Sequence, residues 1–530
     1  AFLISSILRR KFMWLDYVVL AVYLLSMVGI ALYTRNRSKS VKDFLLAGKK
    51  GLNGWMSAFS YGTTYFSAVI FIGYSGQFGW KFGLSSVWIG VGNAILGGLL
   101  AWLIMAKRTK NMTSRLNART MPEFFEKRYD SRALKIISAV VVFVFLIPYA
   151  ASVYNGLGNL FEIMFNIDGT IVVIVLAAIT AIYLVFGGYF ATSLSDFVQG
   201  IIMLIGVIVM LVFFLVNPNV GGAEGLRELS ERGYGFFVGY GNDGFFDSPL
   251  IVLSSLILLT SLGVYGLPQT VHKYYTVRDK KAIKQGMIVS TLFALIVGVI
   301  AYFVGSLSHL FFENPSEFAN NTDNIIPFML NGVIPIGLLG LIGVLVLSAS
   351  MSTLASVSLS SASVVAVDLY KGAIKKDASD KKVTLLMRIM CFLFVALSVV
   401  IAILNKKFNL TAIAYMMSIS WGTLSGCFFG PFLLGLYSKK MTKAGALSSV
   451  IGGIVFTIAF IFIFGAIKVG GFAAGFGAVV KAGVGSSPLI GVLCMIFSVV
   501  ITLTVSAFTR KPDEKIIYEA FDKHIENEIV

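Results

Sequence analysis

Histidine and cysteine are scarce in this sequence. Three histidines (His272, His309, His524) and three cysteines (Cys391, Cys427, Cys494) are scattered over 530 residues. Their spacing matches neither a zinc site nor a disulfide framework. No nucleophile stands beside a general base, so an enzyme is not expected and no catalytic residue is assigned. Glycine-rich runs such as GGYFA and VGGFAAGFG lack the strand before and the lysine after that a phosphate loop needs, and read as membrane packing. Charged residues are only 13% of the chain and hydrophobic ones 57%. That balance excludes an ordinary soluble domain.

What the chain has instead is apolar runs of 18 or more residues, recurring from Tyr17 to Phe508. Each is long enough to cross a hydrocarbon core of about 30 Å. The expected fold class is an all-α polytopic membrane protein of about thirteen helices. Spans are expected near 15–34, 52–78, 84–106, 133–164, 170–190, 195–216, 249–271, 286–310, 334–366, 384–404, 410–437, 444–466 and 488–508. The formal charge of +17 sits in short loops between these runs, so the expected surroundings are a lipid bilayer and no nucleic-acid partner. With the N-terminus outside, 33 of the 43 Lys and Arg residues fall in cytoplasmic segments such as 35–50, 107–135 and 273–284. The opposite orientation leaves ten there. The longest external loop, 217–248, carries Glu224, Glu228, Glu231, Asp243 and Asp247 instead. The positive-inside rule therefore puts the C-terminus in the cytoplasm of a multi-pass plasma-membrane protein. No obligate protein partner is expected.

Two spans carry helix breakers in mid-membrane. The second reads SYGTTYFSA around Gly62, and the seventh reads LGVYGLPQ with Gly263, Gly266 and Pro268. Freed backbone carbonyls are tolerated at that depth only where they line a cavity or hold an ion. Each broken helix begins a set of five, which is the pattern of an inverted-repeat secondary transporter with a site near the midplane. The expected organisation is an N-terminal extracellular segment, first helix and cytoplasmic loop (1–51), a first repeat (52–216), an extracellular loop (217–248) and a second repeat (249–437). Two further helices (438–508) and a cytoplasmic tail (509–530) follow.

Nine of the sixteen residues in SASMSTLASVSLSSAS, 348–363, are Ser or Thr, with Ser348, Ser352, Ser356 and Ser360 on one stripe. Such hydroxyls suit a hard monovalent cation and cost far less to bury than carboxylates; equally, they glue helices by interhelical hydrogen bonds. Asp196, in GGYFATSLSDFVQG, is an ionisable residue at membrane depth that marks either an ion path or a solvated helix start. The other spans hold almost no charge, which disfavours a proton relay or a voltage sensor.

With these residues in view, the chain resembles the sodium/solute symporter family of proline, pantothenate, acetate, sialic acid and sodium/glucose transporters. The resemblance rests on DFLLAGKKGLNGW, FSAVIFIG, FGGYFATSLSDFVQG and MSTLASVSLSSASVVAVDLYKG, between about residues 16 and 437. It implies a leucine-transporter-like core of two inverted five-helix repeats that imports a small organic solute with sodium by alternating access. It also implies a sodium site made by the carbonyls of Thr63, Phe66 and Ala349 and the hydroxyls of Ser352 and Thr353. Asp196 and Ser356 match a second sodium site, or an ion exit, of some members, whereas Ala355 stands where those members have serine. Sugar-carrying members place amides and a carboxylate after the second-helix break, where this chain has Tyr65, Val69 and Ile70. A sugar's hydroxyls would go unpaired there at about 1–3 kcal/mol each. The run GLPQTVHKYYTVRDKKA is similar to pantothenate and monocarboxylate members, so a small carboxylate or amino-acid solute is expected before a sialic acid or sugar. Its lining would come from Tyr65, Val69, Ser261, Tyr265, Gln269 and Ser418. Two readings of another class are a sodium leak channel and a solute-binding membrane sensor.

Overall fold

The computed structural model describes residues 2–35, 40–46, 52–241, 246–408 and 410–521, with side chains from Met13 onward. Asp243, His524 and residues 47–51 of the DFLLAGKKGLNGW motif lie outside the described residues.

The described chain is helical, and its long helices are α1 (Phe2–Thr34), α2 (Gly54–Tyr65), α3 (Ser75–Phe82), α4 (87–115), α5 (Arg132–Phe165), α6 (Gly169–Leu215) and α7 (Pro249–Leu262). They continue as α8 (Pro268–Tyr275), α9 (Lys280–Ser306), α10 (Leu339–Ser363), α11 (Asp380–Phe408), α12 (Ile413–Tyr437), α13 (Lys443–Val469) and α14 (Ser487–Phe508). Ten helical stretches, or eleven with the bent pair α7–α8 counted as one, are long and apolar enough to cross a membrane. Two of these run for 47 residues, about 70 Å at 1.5 Å per residue and enough for two crossings. In α6 the chain turns at Gly188, which sits at φ 62 and ψ −170, a backbone state that glycine adopts without a Cβ clash. The expected fifth and sixth spans are therefore one kinked helix, and no loop separates them at 190–195. The other double-length stretch turns at Gly83, φ 57. Its first part, a π-helical segment Val69–Tyr74 leading into α3, completes the second span begun by α2. Counting both as two crossings gives the thirteen spans expected.

Local chemistry explains where helices start. Asn53 accepts the Met56 N–H at 2.9 Å to begin α2, Asp168 accepts from Thr170 and Ile171 to begin α6, and Asp279 accepts from Ala282 to begin α9. Each satisfies an amide that the first helical turn leaves without a partner. Packing then sorts the helices by depth. The most apolar window of α10 is 94% buried, against 28% for α1 and for α13, so the serine-rich helix is central and the all-apolar ones face outward. The seventh span breaks as expected, in a 3₁₀ turn Gly263–Tyr265 followed by a 43° bend into α8. The second breaks at Phe66–Ser67 rather than around Gly62. Gly62 is helical and serves close packing, since a Cβ there would stand 2.6 Å from Phe293. The entrance to α2 and the exit of α8 are stitched together by Leu52 N–H to Thr276 O at 3.0 Å and Arg278 N–H to Leu52 O at 3.3 Å.

Candidate functional site

The broken second span meets the centre of α10. At Phe66 the backbone turns extended (φ −104, ψ 126), although its amide still reaches Gly62 O at 3.3 Å. The carbonyls of the last turn of α2 are thereby released from regular helix bonding. Hydroxyls of α10 take up two of them. Ser352 Oγ lies 2.9 Å from Thr63 O and 2.9 Å from Ala349 O, and Thr353 Oγ1 lies 3.2 Å from Thr64 O and 3.1 Å from Ala349 O. Each hydroxyl has one proton for two acceptors, so lone pairs remain on both carbonyl and hydroxyl oxygens. Just past the break, the Ala68 amide donates to Ser350 Oγ at 3.1 Å. One helix therefore satisfies both sides of the gap.

Of the five expected cation ligands, Thr63, Ala349, Ser352 and Thr353 converge here. Phe66 stands at the same break, but among the described residues its carbonyl receives no bond from α10. Thr64, whose carbonyl does, was not legible from the sequence.

Asp196 and Ser356 come together in a second cluster one helical turn further along α10. Asp196 is fully buried on α6, which removes the reading of it as a solvated helix-start acid. Ser60 Oγ donates to Asp196 Oδ2 at 2.5 Å, and Ser356 Oγ lies 2.9 Å from Thr64 Oγ1. Between them sits Lys273 Nζ, 2.8 Å from Ser60 Oγ, 2.9 Å from Ser356 Oγ and 3.5 Å from Asp196 Oδ2. The sequence reading assigned Lys273 to a cytoplasmic loop; it is 2% exposed. Pro268 restarts the helix after the bend, and the last turn of α8 then carries Lys273 inward.

The six candidate solute residues are all buried, but they have different neighbours. Tyr65, Ser261 and Tyr265 gather between α7 and the π-helical part of α4. Tyr65 OH donates to Thr260 O at 2.5 Å, Ser261 Oγ lies 3.2 Å from Asn93 Oδ1, and Tyr265 OH donates to Leu96 O at 2.9 Å. Val69 lines the turn after the break. Ser418 pairs with Tyr74 OH at 2.6 Å, further along the second span. Gln269 borders a small cavity that Lys273, His272, Ser356 and Ser360 also line. Two residues that the sequence reading passed over join the first group. The Tyr65 ring stacks on Trp421 at 6.0 Å, and Tyr149 meets Trp421 edge-on at 5.7 Å. Neither Tyr149 OH nor Trp421 Nε1 makes a well-formed hydrogen bond, although Ser67, Thr353 and Trp421 all present polar groups close to the Tyr149 hydroxyl. Tryptophan favours membrane interfaces, so one well inside the span 413–437 was the available signal.

No cluster of three or more His, Cys, Asp or Glu side chains suited to a metal occurs among the described residues; the oxygens gathered at the break are neutral.

The profile of the sodium:solute symporter family matches residues 44–453. The osmoregulated proline transporter OpuE of Bacillus subtilis is 28% identical over 445 residues, covering 82% of this chain and 86% of its own. The sodium/proline symporter of Staphylococcus aureus is 26% identical over 94% of both chains. Among solved structures, a Na⁺-coupled sialic acid symporter in a substrate-bound outward-open state superposes with a TM-score of 0.74 at 18% identity, over 94% of this chain and 99% of its own. That likeness shows the fold, a leucine-transporter-like arrangement of inverted repeats. The family match spans well over half of the chain, and this protein belongs to the sodium:solute symporter family, whose members are sodium-coupled membrane transporters and not enzymes.

Proposed function

We propose that this chain imports proline together with sodium across the plasma membrane, with its N-terminus outside and its C-terminus in the cytoplasm. The observation that carries the coupling is the convergence of Ser352 and Thr353 on the carbonyls of Thr63, Thr64 and Ala349. A sodium ion entering there replaces hydroxyl-to-carbonyl bonds by oxygen ligands from both sides, and so latches the broken end of α2 to α10. Phe66 O completes the set. Because the break also carries Tyr65 and Val69, the latch sets the position of the solute wall.

Three features support proline as the solute. The relatives named above are proline transporters. The wall formed by Tyr65, Trp421 and Tyr149 offers flat apolar faces to a ring. Tyr149 OH and Trp421 Nε1 are two donors with no well-formed bond of their own that a carboxylate would engage, the group that the sequence reading also expected. Proline is neutral overall as a zwitterion, so each transported sodium moves one net charge. That is worth about 2.3 kcal/mol per 100 mV, or about fortyfold accumulation.

The test is uptake into proteoliposomes of labelled proline, pantothenate, acetate, pyruvate, sialic acid and glucose, under an inward sodium gradient or an equal potassium gradient. Proline uptake with sodium alone is expected. Sodium-dependent uptake of another solute would replace proline, a sodium current that ignores every solute would identify a leak, and binding without uptake a sensor. Orientation is read separately in intact cells with a membrane-impermeant thiol reagent. A single cysteine at exposed Glu224 is expected to label from outside, and one at exposed Lys376 only after permeabilisation.

A further inference from the structure

Lys273 brings a positive charge into a cage of oxygens contributed by other helices: Ser60 and Thr64 from α2, Asp196 from α6 and Ser356 from α10. An ammonium can only donate, so it fixes the direction of every bond around it. Ser356 accepts from Lys273 and therefore donates to Thr64. Thr64 in turn donates to Ser60 O at 2.7 Å. Ser60 accepts from Lys273 and donates its own hydrogen bond to Asp196. Ser60 and Ser356 thus both turn lone pairs toward one cation, and Thr64 orients Ser356 from behind.

We propose that this cage is a monovalent-cation site that Lys273 fills permanently, so that its ammonium stands in for a second sodium ion and the protein carries one sodium per solute. The proposal rests on the sodium-symport reading for the first ion and adds its stoichiometry. One carboxylate and two hydroxyls, with Thr64 behind them, form the donor set of a hard-cation site, and Asp196 Oδ1 remains without a partner, an acceptor beyond what a structural ion pair uses. The charges are already balanced by Lys273 and Asp196. A sodium ion added beside the ammonium would meet like-charge repulsion where water cannot screen it. The resident cation cannot leave with the solute, because it is tethered through α8, where Thr276 Oγ1 holds Lys273 O at 2.9 Å and the Tyr189 ring lies 5.2 Å from Nζ. Thr64 connects the two places, since its carbonyl faces Thr353 at the first site and its hydroxyl faces Ser356 at this one.

Lys273→Met removes the ammonium and leaves the Asp196 carboxylate in an otherwise unchanged cage. The experiment counts ²²Na⁺ bound per purified full-length protein, in parent, Lys273→Met and the double variant Lys273→Met/Asp196→Asn. The parent is expected to bind one ion, Lys273→Met two, and the double variant one. The increment between parent and Lys273→Met tests this proposal, and the parent's own count tests the symport reading. No increment overturns the resident-cation assignment even if the parent binds sodium, and two ions on the parent overturn it as well. An increment from zero to one sustains the resident-cation assignment and overturns the one-sodium stoichiometry together with the first site. Should Lys273→Met be too unstable to count, its melting temperature in sodium against choline chloride decides. A rise in sodium several times that of the parent is expected, and a rise equal to the parent's overturns the proposal.

Discussion

Ser352 Oγ stands 2.9 Å from the carbonyl of Thr63, a residue 289 positions earlier in the chain. This contact closes the gap in the second span with a side chain where a continuous helix would use backbone. Its strength has an upper bound: a neutral hydrogen bond contributes about 0.5–1.5 kcal/mol net, weak enough for a sodium ion to displace.

Removing that hydroxyl in Ser352→Ala, or its neighbour in Thr353→Ala, is expected to raise the sodium concentration for half-maximal uptake by about tenfold each, the equivalent of about 1.4 kcal/mol. The solute KM at saturating sodium should change by less than about twofold. Uptake measured against sodium at fixed solute checks this. A sodium constant equal to the parent's in both variants would remove these residues from the ion site.

A pH response is expected from the segment between α9 and α10. Asp323 lies between α9 and α10 at a polar cavity of about 400 Å³, which Asn155, Glu162, Asn405 and Lys406 also line. Burial pushes its carboxyl up to about 7, against a smaller opposing effect of the Ile413 amide that donates to it at 3.1 Å. The unfolded chain releases this proton near pH 3.9, about the value of a free aspartate. The associated stability is therefore complete below that pH and is lost as pH rises through about 7, at up to about 1.4 kcal/mol per unit. The melting temperature of the parent should fall from pH 5 to pH 7 relative to Asp323→Asn, which keeps an acceptor for Ile413 and loses the titration. Parallel curves for the two proteins would refute it.

Much of this architecture was legible in the sequence because lipid imposes strong rules. Span lengths follow from hydropathy, and the break at Gly263, Gly266 and Pro268 is written in residues that cannot continue a helix. The serine stripe from Ser348 to Ser360 announced a polar helix in the centre. The break at Phe66 was misplaced by a turn because neither Phe66 nor Ser67 is a helix breaker. That gap exists because Ser350 and Thr353, far along the chain, satisfy the groups it exposes. Lys273 was misread for a related reason. Beside Arg278 and Lys280 it looks like the start of a basic loop, and only the tertiary fold brings it to Asp196 and Ser60.

Glycine packing supplies a test of the helix crossing behind the site. A Cβ on Gly90 of α4 would lie 2.7 Å from Gly298 C of α9, while Gly298 itself packs on the Phe66 ring at the break. Backbone at that distance cannot rotate away. Gly90→Ala is expected to lower stability by about 1–3 kcal/mol. Gly29→Ala, in α1 with open space around it, should be neutral or slightly stabilising. Thermal unfolding of the two variants in detergent distinguishes close backbone approach from a general intolerance of alanine.

The hydroxyl of Tyr149 separates a solute-binding role from a structural one. A buried tyrosine that bonds to another protein group loses stability when changed to phenylalanine. Tyr149 OH makes only loose approaches to Ser67, Thr353 and Trp421, so Tyr149→Phe should melt close to the parent temperature. If the hydroxyl instead waits for a solute carboxylate, its loss removes a hydrogen bond to a charged group, about 1.5–3 kcal/mol, and raises the KM for proline by about 10- to 100-fold. Sodium binding in the absence of solute should change little, because Thr353 keeps its bonds to the carbonyls of Thr64 and Ala349 and the ring remains against Trp421. A lowered melting temperature with an unchanged KM would make Tyr149 a packing residue and take with it the carboxylate end of the proposed solute site.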